Sequence, residues 1–352
     1  MNNLKKLTKM RLFLPIFSML LVMCINIIYD ISCGHAPLTF FTITIKNGVL
    51  YGRLIDILNR GSEAAILAIG MTLVVSSSAG TDISVGSVMS LYGGMCCMLL
   101  AGYGNVNVSE YAVPLIVGIG AGLLVTCLCG LFNGFLVAYL NIQPMVATLI
   151  LWSAGRAIGL LLCNSQIVYV RVPSFQKIGG YVGFIPTPII IAAACVAVAA
   201  IVLKTTALGT YVQSVGINRR ASRIAGFNSA KIILLCYVIS GLCAGLAGMV
   251  NTSRIYSADT NNIGLNMERD AILAVALGGN SLGGGRFSLA GSIIGAYTIQ
   301  AIDTTLLALG VSTAQSPVFK AIVVILIVVI QSEPAKDFFK KCGKSEAKEV
   351  HA

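Results

Sequence analysis

Residues 113–140 read Val-Pro-Leu-Ile-Val-Gly-Ile-Gly-Ala-Gly-Leu-Leu-Val-Thr-Cys-Leu-Cys-Gly-Leu-Phe-Asn-Gly-Phe-Leu-Val-Ala-Tyr-Leu, twenty-eight positions without a charged side chain. A helix rises about 1.5 Å per residue and the hydrocarbon core of a bilayer is about 30 Å thick, so roughly 20 apolar residues span it. This run is long enough to cross while tilted or broken. Nine others accompany it, at 12–31, 64–78, 83–101, 145–163, 187–203, 232–252, 270–279, 288–310 and 318–331. The whole chain agrees: 57% of its residues are apolar and 11% charged, against roughly 45–50% and 25% in globular proteins. A soluble fold this poor in charge has no means of covering its surface. Soluble enzymes and nucleic-acid-binding domains are therefore excluded as readings of the whole chain. The expected fold is all-α, a polytopic membrane bundle of eight to ten transmembrane helices. The run at 270–279 is too short to span alone and reads as a short or re-entrant helix.

Charge sets the direction. With the N-terminus inside, ten crossings return the C-terminus inside, and segments 1–11, 204–231, 280–287 and 332–352 then carry fifteen basic residues against seven in 32–63, 164–186 and 253–269. Basic residues collect on the cytoplasmic side of membrane proteins, so this accounts for the net charge of +11 without an acidic partner. The chain divides into a basic cytoplasmic N-terminus (1–11), a transmembrane domain (12–331) that includes the segment 204–231, and a Lys-rich cytoplasmic tail (332–352). The first run has no Ala-x-Ala-like cleavage site after it and reads as an anchor, not a signal peptide. Leu50–Asn59 reads as a separate amphipathic piece before the second span.

Glycines at Gly118/Gly122, Gly130/Gly134, Gly155/Gly159, Gly241/Gly245 and Gly291/Gly295 repeat at a spacing of four. In lipid such residues let helix backbones approach, and packing within the bundle is the expected use. Cysteines such as Cys96, Cys97, Cys127, Cys129 and Cys195 sit inside apolar runs and read as small hydrophobes. There is no Cys-x-x-Cys pair and no Cys/His cluster, so neither a metal site nor a disulfide framework is expected. No cofactor is expected either.

Polar groups at depth are costly and mark function. The stretch Ser76-Ser77-Ser78-Ala79-Gly80-Thr81-Asp82-Ile83-Ser84 is either an interrupted backbone, tolerated at depth when it lines a cavity or is buried in protein, or a short cytoplasmic turn in which Asp82 or Ser84 caps the next helix. Glu268-Arg269-Asp270, the half-length run after it and Gly278–Arg286 form a broken or re-entrant element. Its glycines are not followed by Lys-Ser/Thr, so the phosphate-loop reading fails, and an ATP-powered process would need another chain. Asn133, Gln143, Arg156, Gln300 and Asp303 lie within or beside spans. Their amides can bind sugar hydroxyls or, more ordinarily, join neighbouring helices. The candidate translocation path is Asp82, Ser84, Asn133, Gln143, Thr148, Asp270, Gln300 and Asp303. Asp303 is the one carboxylate well inside a long run, which disfavours a proton- or ion-driven carrier. In 204–231, Asn218 is a plausible N-cap for a short basic and apolar helix ending before Gly226. That helix suits either a groove on a partner or an anionic lipid surface.

Here the sequence resembles the permeases of bacterial ABC importers of the ribose/galactoside type. The resemblance is carried by Tyr211, Gly216-Ile217-Asn218 and Ala221/Ala225-Gly226, by Gly80-Thr81-Asp82-Ile83-Ser84-Val85-Gly86-Ser87, and by Glu268-Arg269-Asp270-Ala271-Ile272-Leu273-Ala274-Val275 leading to Gly278-Gly279-Asn280-Ser281-Leu282. It runs in order over about residues 50–331. Ile142-Gln143-Pro144-Met145, Ala258-Asp259-Thr260-Asn261-Asn262 and Gly284-Gly285-Arg286-Phe287 are similar to the galactofuranose-type members. Thr81 and Arg269 replace apolar residues of the family pattern.

The resemblance implies a membrane subunit that performs no covalent chemistry. Its expected partners are an ABC ATPase subunit, an extracytoplasmic sugar-binding protein, a second permease subunit (the same chain or another) and a monosaccharide substrate. It implies a multi-pass location in the bacterial cell membrane. It also implies an ATPase-coupling element comprising Gly216, Asn218, Arg219, Arg220, Ala221, Arg223, Ile224 and Gly226. A self-powered carrier or channel is the alternative from another class, and a membrane scaffold without transport is a third.

Overall fold

The computed structural model describes residues 12–32, 39–46, 48–312 and 315–331. The basic N-terminus 1–11 and the tail 332–352 lie outside the described residues. Each of the ten apolar runs is a helix: α1 (Phe13–Ser32), α2 (Arg53–Ser78), α3 (Val85–Ala101), α4 (Leu115–Ala138), α5 (Pro144–Leu162), α7 (Thr187–Thr205), α10 (Ser229–Ile255), α11 (Met267–Leu277), α12 (Leu289–Ala308) and α13 (Ser316–Gln331). Three shorter helices lie in the connections: α6 (Pro173–Gly179), α8 (Leu208–Ile217) and α9 (Arg219–Ile224). By length and composition α2, α4, α5, α7 and α10 suffice to cross a membrane. The protein is a polytopic helical membrane bundle.

At the centre runs α2, enclosed along its apolar length. It packs against α7, α8, α10, α11 and α12, which is possible because Ala64, Ala65 and Ala68 meet Ala274 and Ala296 in one small-residue cluster. The periphery is the reverse. Ile116, Leu124 and Leu128 of α4, Leu161 of α5 and Val198 and Ile201 of α7 are exposed, the apolar surface that lipid covers. The spaced glycines work within the chain. A Cβ on Gly130 would stand 2.4 Å from the Tyr237 carbonyl oxygen, and one on Gly241 would stand 2.4 Å from that of Thr126. Thus α4 and α10 touch backbone to backbone, as small residues permit in lipid. Cys96 and Cys97 pack in the core beside Tyr92 and Phe175.

Among the described residues seven short strands add to the all-α expectation, all in connections at one end. β1 (Thr44–Lys46) pairs antiparallel with β2 (Val49–Tyr51), and β5 (Tyr181–Val182) with β6 (Ile185–Pro186). In a three-stranded sheet β4 (Val168–Val170) lies between β3 (Asn107–Val108), parallel to it, and β7 (Ser257–Ala258), antiparallel. This sheet ties together the α3–α4, α5–α6 and α10–α11 connections. On the same end α6 docks on α10, where the Gly179 amide donates to Ser253 Oγ at 2.8 Å and that hydroxyl donates to the Phe175 carbonyl. The opposite end carries α8 and α9.

Two boundaries differ from expectation. Leu50–Asn59 is no separate amphipathic piece, since Arg53–Asn59 open α2. The helix continues through Arg60 and Glu63, whose carboxylate is ion-paired with Arg254 and accepts from Asn251 within the bundle. Within 113–140, Leu115–Ala138 form one unbroken helix. The half-length reading of α11 holds. Its eleven residues cover about 16 Å at the usual rise, roughly half the hydrocarbon core. The glycine-rich loop 278–288 continues it. Asn280 Oδ1 accepts the Ser288 amide at 2.6 Å, Asn280 Nδ2 donates to Ser292 Oγ at 2.7 Å, and the Gly285 amide donates to the Ser76 carbonyl at 2.9 Å. Non-helical backbone at membrane depth persists when its polar groups are satisfied in this way.

Candidate functional site

Polar groups gather in three places along the bundle. At the α9 end, Asn218 leaves the helical conformation and its Oδ1 accepts the amides of Arg220 and Ala221, both at 3.0 Å, the N-cap expected of it. Ser222, buried, donates to the Asn218 carbonyl at 3.0 Å. The Tyr211 and Phe227 rings lie 4.7 Å apart and pin α8 to the chain leaving α9. Gly226 ends the helix at φ 90°, a conformation that glycine adopts without strain. Arg219 reaches towards the Ser78 carbonyl at the end of α2, at 3.4 Å. Half-burial pulls its guanidinium below the ordinary value, yet an arginine so placed stays a cation. Arg220, Ala221, Arg223 and Ile224 face outward, Ile224 at 89% exposure. Gly216 is the contact point with the core: a Cβ there would lie 1.7 Å from the Ser76 carbonyl oxygen and 2.6 Å from the Gly285 nitrogen. Thus α8–α9, the end of α2 and the glycine-rich loop form one junction.

The second place is the turn between α2 and α3. Ser76, Ser77 and Ser78 are helical, and the chain breaks only from Ala79 to Ser84. Asp82 Oδ1 accepts the Ser84 amide at 3.0 Å and its hydroxyl at 2.6 Å, and Oδ2 accepts from Ser240 at 3.1 Å. Asn133 Nδ2 donates to Ser84 Oγ at 2.8 Å. Thr148 Oγ1 accepts the Ile83 amide at 3.2 Å. The stretch is an interrupted backbone buried in protein, as the first reading has it, and Asp82 holds the turn, as in the second; the turn ties α3 to α4, α5 and α10. Replacing Ser240 with Ala should lower stability by about 1–2 kcal/mol, above the ~0.6 average for hydrogen bonds between membrane helices because the acceptor is a carboxylate. Thermal unfolding of the purified chain in detergent checks this; an unchanged midpoint would contradict the network.

The third is a cavity of about 450 Å³ at the strand-capped end, lined from α2, α10, α11, α12 and α13, within the roughly 300–1,000 Å³ of small-molecule sites. Two ion-paired groups stand in its wall. Arg254 Nη1 lies 2.8 Å from Glu63 Oε1, Asn251 Nδ2 donates to Glu63 Oε2 at 2.7 Å, and Arg254 Nη2 donates to the Asn59 carbonyl at 2.9 Å. Lys320 Nζ sits 3.0 Å from Asp270 and 2.7 Å from Asp303. Gln300 also lines the cavity, and the exposed Arg60 and Arg269 stand at its rim.

The candidate path residues therefore separate. Asp270, Gln300 and Asp303 share the cavity, whereas Asp82, Ser84, Asn133 and Thr148 form the packing network around the α2–α3 turn. Gln143 is exposed at the start of α5 and makes no capping bond. Arg156 Nη1 donates to the Thr260 and Asn261 carbonyls at 2.6 and 2.7 Å, outside the cavity. Glu63, Asn251, Arg254 and Lys320 were missed from the sequence. A lysine inside the 318–331 run was the available signal, because a buried cation requires carboxylates nearby.

Residues 53–330 match the family described as the branched-chain amino acid transport system / permease component. The galactofuranose transporter permease protein of Escherichia coli is 44% identical over 296 residues, which are 84% of this chain and 84% of that protein. The fructose import permease protein of Bifidobacterium longum is 35% identical over 361 residues, covering 100% of this chain and 97% of its own. The ribose import permease protein of Escherichia coli is 33% identical over 299 residues, 84% of this chain and 87% of its own. No solved structure matches the chain.

Proposed function

Since the chain belongs to the family of branched-chain amino acid transport system permease components, we propose that it is the membrane-spanning permease subunit of an ABC importer that admits a monosaccharide. The similar proteins named for galactofuranose, fructose and ribose support a sugar rather than an amino acid. The partners are a separate ATPase subunit, which hydrolyses the ATP, an extracytoplasmic sugar-binding protein, and a second permease subunit. The location is the bacterial cell membrane with both termini cytoplasmic, which puts α9 inside and the strand-capped cavity outside. The domain division at 1–11, 12–331 and 332–352 belongs to the same reading.

The observation that carries this reading is the junction at α9. An exposed short helix presents Arg220, Arg223 and Ile224 outward while Gly216 and Arg219 hold it on the end of α2 and on the glycine-rich loop. Movement of an ATPase against α9 passes into the central helix and into the loop after α11. Two backbone contacts carry it, and neither is a flexible side chain. Opening on one side and closing on the other is then a shift between two states of the bundle, biased by nucleotide. The outward arginines suit anionic lipid equally by charge alone, but lipid gives no reason for the backbone-tight link to α2.

Replacing Arg220 and Arg223 together with Glu should reduce sugar uptake by cells at least about tenfold, as loss of coupling of ~1.4 kcal/mol or more requires. The amount of chain in the membrane should not change. Uptake of radiolabelled galactose, fructose and ribose measures this. Normal uptake by the double variant would remove α9 from the coupling role, and transport by the purified chain alone in ATP-free liposomes would establish a self-powered carrier instead.

A further inference from the structure

We propose that the cavity walled by the Glu63–Arg254 pair and the Asp270–Lys320–Asp303 triad is a binding subsite for a neutral polyhydroxylated molecule, held by the permease chain itself. The inference rests on the sugar-permease reading and names the residues that would touch the sugar.

Glu63 has its side chain 1% exposed, and Asp270, Lys320 and Asp303 are 18%, 12% and 22% exposed. Groups so desolvated make stronger hydrogen bonds than they would in water, and pairing keeps them fixed in place. Paired charges that only joined helices would satisfy one another fully, and the Glu63–Arg254 pair does not. Arg254 Nε is buried without a hydrogen-bond partner, and Glu63 Oε1 receives no directed hydrogen bond although Arg254 Nη1 lies 2.8 Å away. The Gln300 carboxamide lines the same space with no side-chain bond among the described residues. Arg254 Nε and Glu63 Oε1 are sealed from the surface. What the wall offers a ligand is therefore the Gln300 carboxamide, a donor and an acceptor together, beside the partly exposed carboxylates of Asp270 and Asp303. This suits hydroxyls, which both donate and accept. Within the wall Arg254 and Lys320 are taken up by Glu63, Asp270 and Asp303; the two remaining lining cations, Arg60 and Arg269, are exposed at the rim, where water and salt screen them. A desolvated dianion without a partner is strongly disfavoured.

The test uses the full chain in nanodiscs with Leu307→Cys, a half-exposed wall position, and follows its labelling by a polar maleimide. Galactose, fructose or ribose should slow labelling about tenfold when present at about ten times its dissociation constant, since bound ligand leaves only that fraction of sites open. Ribose 5-phosphate should give no protection. Gln300→Leu should raise the protecting concentration roughly three- to tenfold, the worth of one hydrogen bond, with the unprotected labelling rate unchanged. No protection by any of the three sugars, in a chain whose deletion abolishes uptake of one of them, would overturn the subsite and leave the permease reading standing. Loss of no uptake on deletion would instead remove the reading beneath it. Protection by the phosphate alone would also overturn the proposal.

Discussion

Gly216→Val is expected to abolish sugar uptake. The site tolerates no side chain: the first carbon added would stand 1.7 Å from the Ser76 carbonyl oxygen and 2.6 Å from the Gly285 nitrogen. Both are backbone atoms, so no rotamer change relieves the overlap. The Gly285 amide also donates to that same carbonyl at 2.9 Å, and the intruding carbon breaks this bond as it pushes α8 off α2. Overpacking of a tight core typically costs about 1–3 kcal/mol, and more where the backbone has to move. The lost hydrogen bond adds roughly 1 kcal/mol. Gly226 supplies the control. A Cβ there meets nothing within 4 Å, so Gly226→Ala carries only the strain of its φ of 90°, about 1 kcal/mol. Uptake and membrane abundance of the two variants, measured side by side, decide the matter. Wild-type uptake by Gly216→Val would mean that α8 does not press on α2 in the working protein.

Lys320→Leu is expected to be the most destabilising single change in the cavity. Its ammonium is the cation shared by Asp270 and Asp303, and its removal leaves two carboxylates in one wall with nothing between them. Removing one partner of a buried ion pair costs about 3–5 kcal/mol, chiefly through the charge left behind. The same reasoning predicts rescue. Adding Asp270→Asn and Asp303→Asn to Lys320→Leu removes the stranded charges and should restore most of the stability, because a neutral replacement of a whole buried network is often close to harmless. Heat-induced unfolding of the three proteins in detergent gives the comparison. A single variant as stable as the parent, or a triple variant no better than the single, would show that the triad does not hold α13 in place.

The bundle was legible in the sequence because lipid imposes a simple rule: every run of apolar residues long enough to cross became a helix. The half-length of α11 was legible for the same reason. What escaped was the start of α2. Asn59, Arg60 and Glu63 are polar, and hydropathy alone cut the span at residue 64. Asn59 and Glu63 are held in the helix by Arg254 and Asn251, 195 and 188 positions further along, a pairing that no local pattern displays. The α9 cap was readable because Asn218 bonds only to amides two and three residues away. The candidate path was half readable. Polarity at depth marked Asp82 and Asp303 alike, yet the first is consumed by Ser84 and Ser240 and the second faces a cavity. Which of the two happens depends on neighbours brought in from distant helices.

The enclosure of α2 has a consequence for how the protein is made. This is the second long helix to leave the ribosome, and it bears Arg60 and Glu63 near its start. The helices that cover it, α10 to α12, are encoded about 150 to 230 residues later. A newly inserted α2 therefore holds the Glu63 carboxylate without its partner until Arg254 is synthesised. Its packing is completed only late in synthesis, and nascent chains cut short before α10 should be substrates for membrane quality control, however apolar their remaining spans.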